Sequence, residues 1–234
     1  KNDGLKKEGN KQVLTLSGSA NGLNIVRTYT FDDAKYNISI SQNITNTGSN
    51  PANVIIDNSF ARDFDPAGDS FSLLNAHSYT FTGVAYSTSE DKFRKESFKD
   101  IAKTNGDPKI ITNVGNGWVA FVEHYFESAW IPQSSNSVIY YKNIGENVFE
   151  AGEYTSMTIQ PNQSQDATSV LYSGPIIKNN LAPLAPNLEK TLDYGMLSFF
   201  SEIIFWVMFH IHALVGNWGL AIILVTCLIK AIFY

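Results

Sequence analysis

The sequence contains a single cysteine, Cys227, among its 234 residues, and that residue lies close to the C-terminus. One cysteine excludes a disulfide framework, and residues 1–193 hold no thiolate for a zinc site. Basic residues are also scarce, with 17 Lys and Arg against 22 Asp and Glu. A net charge of -5 offers no broad surface that could neutralise phosphates, so we expect no nucleic-acid partner.

Charged side chains nearly disappear from residues 194–234, where only Glu202 and Lys230 occur. Residues 215–234, VGNWGLAIILVTCLIKAIFY, form an almost unbroken apolar run. As a helix, residues 218–234 would cover most of a hydrocarbon core of about 30 Å, with the indole of Trp218 at the headgroup level. We therefore expect residues 215–234 to be a transmembrane helix that the end of the chain cuts short. A buried helix of a soluble protein is the alternative, because it would be equally apolar.

A second apolar stretch, residues 194–214, precedes this run. Plotted at 100° per residue, one side of a helix collects the apolar residues, while Ser198, Ser201, Glu202 and His212 gather opposite. The apolar arc comprises Phe200, Ile203, Ile204, Val207, Ile211 and Leu214. Because ionisable side chains are costly in hydrocarbon, we expect an amphipathic helix that lies in the headgroup plane. A second spanning helix is the alternative.

The remaining residues, 1–193, suffice for one large domain and alternate apolar with polar side chains. Tyr36, Ile38 and Ile40, for example, are separated by Asn or Ser, which is the pattern of a half-buried strand. Further strands are predicted near residues 12–16, 24–31, 53–57, 77–85, 118–125, 137–143, 154–160 and 168–173. Turn residues, such as those of 46–51, separate them. The pattern predicts a mainly β domain, an antiparallel sandwich of large sheets.

One helix is predicted to interrupt the strands at residues 89–95. Ser87 and Glu90 have the spacing of a capping box, which satisfies backbone donors at the start of a helix. Residues 92–95 form a short basic cluster, which we interpret as the solvated face of this helix.

One segment has some features of a calcium loop. Asp63, Asp65 and Asp69 could converge on a hard cation. Pro66 interrupts the pattern, however, and Leu74 stands where a bidentate Glu is required. A polar surface turn is therefore the better interpretation, and we expect no metal site.

Two pairs of titratable residues could do chemistry. Glu123 and His124 could act as acid and base, but neighbours on a strand point to opposite faces. His210 and His212 could bind a metal, but residues two apart on a helix do not face each other. No motif of a hydrolase or nucleotide-binding enzyme occurs in the sequence. We therefore expect no catalytic residues, no cofactor and no enzymatic activity.

Four segments carry a family resemblance: AYSTSEDKF (Ala85 to Phe93), NGWVAFVEHYFESAWIP (Asn116 to Pro132), LAPNLEKTLDYG (Leu184 to Gly195) and the apolar run of residues 215–234. In this order they resemble the YidC membrane protein insertases of Gram-negative bacteria. The resemblance implies a function in which newly made inner-membrane proteins are inserted and helped to fold, alone or with the Sec translocon. The implied partners are these nascent proteins, Sec components and the lipid bilayer.

The same resemblance implies an organisation. A periplasmic β-supersandwich similar to galactose mutarotases would occupy residues 1–193, without its first strands. An amphipathic helix on the periplasmic membrane surface would occupy residues 194–214, and the second spanning helix of the inner-membrane core would begin at 215–234. The alternative function is a membrane-anchored periplasmic module that binds glycans or acts as a mutarotase.

The resemblance also gives Lys230 a role. In the family, an Arg of the second spanning helix lies in a water-filled groove of the insertase core, and the matching position here is Lys230, in LIKAIFY. Lys keeps the positive charge but lacks the bidentate fork of Arg. We expect Lys230 to be a groove charge that attracts acidic substrate segments, with Trp218 as the membrane-interface anchor. A Lys230 side chain that snorkels to the cytoplasmic headgroups is the alternative.

Overall fold

The computed structural model describes residues 2–64, 81–104, 106–112, 114–134, 136–192 and 198–233. The chain divides into two compact units, residues 1–192 and residues 193–234. Strands dominate the described part of the first unit, and the described part of the second consists of two helices.

The strands of the first unit range from 3 to 12 residues in length. They are β1 (Asn2–Glu8), β2 (Lys11–Ala20), β3 (Leu23–Asp32), β4 (Asn37–Asn46), β5 (Ala52–Asp63), β6 (Gly83–Ser87), β7 (Arg94–Ser97), β8 (Lys109–Ile111), β9 (Trp118–Val122), β10 (Phe126–Pro132), β11 (Ser137–Gly145), β12 (Val148–Ile159) and β13 (Ser164–Pro175). The helices are α1 (Phe98–Ile101), α2 (Lys178–Leu181), α3 (Ser198–Val215) and α4 (Trp218–Phe233), with 3₁₀ turns at Ala102–Thr104 and Leu188–Thr191.

Two antiparallel sheets contain these strands. The larger sheet has the order β1-β2-β3-β4-β13-β10-β9-β6-β7, and the smaller has the order β5-β12-β11-β8. Side chains from both sheets share one buried core, so the sheets pack face to face. The predicted fold class, a mainly β antiparallel sandwich, is confirmed for this unit.

Aromatic rings fill the centre of the space between the sheets. Phe98 of α1 is fully buried and lies 4.6 Å from the ring of Phe149 and 5.4 Å from that of Phe121, measured between centroids. The ring of Phe60 lies 4.6 Å from that of Phe121. Ser97 starts α1 by accepting a hydrogen bond from the Asp100 amide, which fixes the helix that carries Phe98 into the core.

The opposite face of the larger sheet is also covered. Leu181 and Leu188, both fully buried, pack with Trp118 and Tyr172 of the sheet. The Trp118 indole donates to the carbonyl of Pro186 (2.9 Å). The polar tip of this large side chain is therefore satisfied, and the segment of residues 176–192 is held on the sheet.

A polar network interrupts the apolar core between the two sheets. Asn58 of the small sheet donates to Glu153 (2.6 Å) and accepts from the guanidinium of Arg27 in the large sheet (2.8 Å). Ser169 of the large sheet also donates to Glu153. Burial raises the pKa of Glu153, while the hydrogen bonds from Ser169 and Asn58 oppose that rise. This inter-sheet network (Arg27, Asn58, Glu153, Ser169) joins strands that are far apart in sequence.

The helix predicted at residues 89–95 is wrong. Ser87 donates to the Lys92 carbonyl (3.0 Å), and Thr88 accepts from the Asp91 amide (2.8 Å) and the Glu90 amide (3.3 Å). These bonds close a tight turn, after which β7 pairs with β6. Short polar side chains satisfy either a helix start or a turn, so the spacing of residues 87 and 90 was ambiguous.

Candidate functional site

The second unit is a pair of helices joined by a tight turn. Gly216 ends α3 with a positive φ of 67°, and its amide donates to the His212 carbonyl (2.8 Å). Asn217 then begins α4, because its side-chain oxygen accepts from the amides of Gly219 (2.8 Å) and Leu220 (3.2 Å). The left-handed glycine and the Asn cap are common devices for ending one helix and starting another.

The two helices pack against each other through small and branched side chains. Ala221 is fully buried and Val225 is 5% exposed, whereas Leu220 and Ile222 on either side of Ala221 are about half exposed. On α3, Val207 and Ile211 are half-buried. Residues 221 and 225 are one turn apart, so they define the face of α4 that meets α3.

Lys230 lies on the other side of α4. Each helical residue turns by 100°, so the Lys230 side chain leaves the helix about 140° from Val225 and about 180° from Ala221. It is exposed, and α4 contains no Asp or Glu. The residues on the same side as Lys230 are Gly219, Ile223 and Thr226, which together with it form the Lys230 face. The groove role of Lys230 itself stays a prediction.

The predicted apolar arc of α3 is only partly directed at a partner. Val207 and Ile211 turn toward α4, but Ile203, Ile204 and Leu214 are exposed, Leu214 by 88%. The backbone of residues 200 and 202 belongs to α3, whereas the predicted side chains there, Phe200 and Glu202, lie outside the described residues. The predicted position of this helix in the headgroup plane stays a prediction.

His212, assigned to the polar side of α3, is instead half-buried. Its ring stacks on Trp218, with 3.8 Å between centroids and 12° between planes. His210 contacts the Trp206 carbonyl through Nδ1 (2.9 Å). The predicted interface anchor, Trp218, therefore packs across the turn and remains 45% exposed.

The helices have 18 residues in α3 and 16 in α4. Within the ranges that the structure describes, neither reaches the combination of length and apolarity needed to cross a membrane. Residues 218–233 of the predicted span form the helix α4, and its role as a spanning helix stays a prediction.

A cleft of about 540 Å³ opens at one end of the sandwich. Its walls include the aromatic side chains of Tyr36, Phe60 and Phe126, and the charged side chains of Arg62 and Glu123. The Arg62 guanidinium forms an ion pair with the Glu123 carboxylate at the edge of this space. The pair joins the end of β5 to the β9–β10 turn.

This ion pair changes the interpretation of Glu123 and His124. Residues 123–125 form the turn after β9 rather than the end of a strand, because the Glu123 amide donates to the Phe126 carbonyl (2.9 Å). The strand predicted at residues 118–125 is therefore three residues too long. His124 packs edge-on against Tyr125, so each member of the supposed acid–base pair already has another neighbour.

Glu127 is the most unusual titratable group of the sandwich. It is 2% exposed, and neither of its carboxyl oxygens has a hydrogen-bond partner among the described residues. Burial raises its pKa to about 7, and the neighbouring Thr191 hydroxyl, which donates to the Leu188 carbonyl, offsets only part of that rise. The sequence held a signal for this position, since Glu127 shares a strand face with Ala129 and Ile131.

Metal binding finds no support in the described ranges. No group of three or more His, Cys, Asp or Glu residues there could hold an ion. Of the candidate calcium loop, Asp63 ends β5, whereas Asp65 and Asp69 lie outside the described residues.

Comparison with solved structures gives distant matches to galactose mutarotase-like proteins. It matches a galactose mutarotase-like protein of Clostridium acetobutylicum with a TM-score of 0.46 and 9% identity, over 74% of this chain and 65% of the other. A galactose mutarotase-like protein of Lactobacillus casei gives a TM-score of 0.48 and 8% identity, over 73% and 72%.

The sequence comparisons are far more specific. The chain is 76% identical over 231 residues to the membrane protein insertase YidC of Francisella tularensis subsp. novicida and to that of subsp. holarctica strain LVS. These matches cover 99% of this chain and 42% of each relative, so the chain spans about two fifths of their length. The family model of the YidC periplasmic domain matches residues 1–207. This chain therefore belongs to the YidC family of membrane protein insertases.

Proposed function

We propose that this chain is part of an inner-membrane insertase that inserts newly made membrane proteins and helps them fold, alone or with the Sec translocon. Residues 1–193 are then its periplasmic sandwich, and residues 194–214 its interfacial helix. Residues 215–234 begin a spanning helix of the insertase core. The family membership and the 76% identity to the Francisella insertases support this proposal.

The observation that carries the proposed mechanism is the position of the Lys230 face. Because α3 packs on Ala221 and Val225, the side of α4 with Gly219, Thr226 and Lys230 is open to other helices or to water. A polar segment that crosses a bilayer faces a large desolvation cost. A hydrated groove with a fixed positive charge lowers that cost by shortening the dry path and attracting acidic segments. No covalent bond is made or broken, so the proposed function is not enzymatic.

The test uses full-length insertase with substitutions at Lys230, in cells depleted of the native protein. Lys230→Arg keeps the charge and should support insertion of small inner-membrane proteins. Lys230→Glu should slow insertion of substrates with acidic translocated segments on the order of tenfold, because reversal of one charge turns attraction into repulsion at close range. Lys190→Glu, at an exposed position of the 176–192 segment, makes the same charge change elsewhere. Equal insertion by all variants would remove Lys230 from the mechanism.

The described contacts do not favour the alternative, a glycan-binding or mutarotase-like module. Mutarotation requires an acid and a base that both reach the sugar, but Glu123 is paired with Arg62 and His124 packs on Tyr125. Aldose turnover that is lost on the substitution Glu123→Gln would overturn the non-enzymatic proposal. We propose instead that the sandwich is a contact surface for Sec components and emerging periplasmic segments, and co-purification tests this.

A further inference from the structure

Four apolar side chains are exposed together at the cleft end of the sandwich. They are Tyr36 (50% exposed), Tyr125 (68%), Phe126 (58%) and Ile177 (44%), and we call them the aromatic patch. Single exposed apolar residues are ordinary on protein surfaces, but contiguous groups usually mark a contact surface.

Backbone geometry holds these residues side by side. The Tyr36 ring lies so close to Gly174 that a Cβ atom there would come within 2.7 Å of it. Phe126 is paired in register with Pro175, the next residue along β13. The Ile176 amide then donates to the Tyr125 carbonyl (2.9 Å). Of the four residues, only Phe126 lies on a strand, and Tyr36, Tyr125 and Ile177 lie in the segments directly before or after strand ends. The strand pairing and this hydrogen bond hold those segments next to each other.

The aromatic patch also lies where the chain leaves the sandwich. The last part of the first unit, residues 188–192, runs past the start of β10, since the Thr191 hydroxyl lies beside the Glu127 carboxyl. Glu127 directly follows Phe126 of the patch. Ser198, the first residue of the apolar helix α3, comes only six positions after Leu192 in the sequence. The patch therefore lies at the same end of the sandwich as residues 188–192, the last described residues of the first unit.

Charges around the aromatic patch balance. Asp32 pairs with Lys35 (3.6 Å), and Glu123 pairs with Arg62. Asp33 and Lys178, both exposed and close in sequence to Tyr36 and Ile177, carry opposite charges. With no net charge, the patch does not select for anionic partners, and its affinity must come from the aromatic and aliphatic side chains.

We propose that the aromatic patch rests on the lipid headgroups of the membrane in which the apolar helices are anchored. Tyr and other amphipathic rings favour the interface between water and hydrocarbon, where the ring is buried and the hydroxyl stays wet. This inference rests on the proposed membrane association of α3 and α4. The patch would then give the sandwich a contact with the membrane surface in addition to its covalent connection to the helices.

The test places one environment-sensitive fluorophore at a time on the whole chain, in vesicles of phosphatidylethanolamine and phosphatidylglycerol. In the background Cys227→Ser, the label is attached through Asn179→Cys, an exposed position two residues after Ile177 that leaves the patch intact. The matched control is Gln163→Cys, an exposed position just before β13. The twelve residues of β13, roughly 35–40 Å in length, separate residue 163 from the end of the strand that lies at the aromatic patch. Nitroxide groups on the lipid headgroups quench labels that lie at the membrane surface.

We expect strong quenching at residue 179, no quenching at residue 163, and the same result when phosphatidylcholine replaces the anionic lipid. The substitutions Tyr125→Ser and Phe126→Ser together should abolish the quenching at residue 179, with unchanged circular dichroism. A label on the native Cys227 of α4, tested with nitroxides on the acyl chains, reports separately whether the helices are in the membrane. Quenching at Cys227 without quenching at residue 179 would overturn the patch inference and leave the proposed function intact. No quenching at Cys227 would contradict the proposed function itself.

Discussion

Replacing the buried Glu127 by Gln should remove a specific dependence of stability on pH. The carboxyl group is almost fully buried, and its oxygens have no hydrogen-bond partner among the described residues. Burial therefore favours the neutral form and raises the pKa from 4.5 to about 7. Because the folded-state pKa is the higher one, ionisation of the wild-type side chain adds almost no cost to folding below pH 4.5. Its cost grows as the pH rises toward 7 and then levels off.

The size of this effect on folding free energy follows from the shift in the pKa of Glu127. A difference of about 2.5 pKa units corresponds to about 3 kcal/mol of folding free energy once Glu127 is ionised in both states. The cost at pH 5 is only about 1 kcal/mol, because this cost grows by about 1.4 kcal/mol per pH unit above the unfolded-state pKa of 4.5, and pH 5 lies close to that value. Gln keeps the shape and cannot ionise, so the difference in unfolding free energy between Glu127→Gln and wild type should grow by about 3 kcal/mol between pH 4 and pH 8.

The assay is chemical denaturation of the whole chain in detergent, followed by circular dichroism of the strands at several pH values. Burying the amide of Gln carries a penalty that does not depend on pH. This penalty changes the size of the difference in unfolding free energy between the two proteins, but not how that difference varies with pH. Glu123→Gln is the control, because this side chain is half exposed and paired with Arg62. A difference between Glu127→Gln and wild type that does not change with pH would refute the argument from burial.

Three further changes test the packing. Gly152→Ala should cost about 1–3 kcal/mol in denaturation experiments, because a Cβ there would lie 2.6 Å from the Asn58 carbonyl oxygen. Gly18→Ala, with open space around it in β2, should cost nothing measurable. Asn58→Ala should cost about 2–3 kcal/mol, since the buried side chain of Glu153 and the guanidinium of Arg27 each lose their hydrogen bond to Asn58. A loss below about 0.5 kcal/mol would contradict this. Asn217→Ala removes the cap of α4, so hydrogen exchange of the Gly219 amide should speed up about fivefold for a loss of about 1 kcal/mol; unchanged exchange would show that the cap is unimportant.

The alternation of apolar and polar side chains along the sequence was sufficient to predict the long strands. Stretches such as residues 24–31, where one face meets the core, became β3 (Leu23–Asp32) with only small changes at the ends. The strand β10 (Phe126–Pro132) went unpredicted, because both of its faces are covered and five of its seven residues are buried. A strand buried on both sides loses the period of two by which strands are recognised.

The candidate sites required information that is not local. Arg62 and Glu123 meet across 61 positions of sequence, so no motif could join them. The orientation of Lys230 depended on which face of α4 meets α3, and only the structure identifies Ala221 and Val225 as that face. His212 was assigned to a polar side of α3 because hydrophobic periodicity ignores neighbours, whereas here stacking on Trp218 decides its environment.

The strand order of the large sheet has a consequence for how the chain must be made. Strand β4 pairs with β13, so Asn43 meets Asp166 across 123 positions. Contacts of such long range form slowly, and this one cannot form at all before residue 166 has been synthesised. Until then the hydrogen-bonding edge of β4 has no strand beside it. Only 22 residues, 176–197, separate β13 from α3. We therefore expect the sandwich to complete its folding at about the moment when the apolar helices leave the ribosome, so that a chain stalled before β13 exposes an open sheet edge to aggregation or to chaperones.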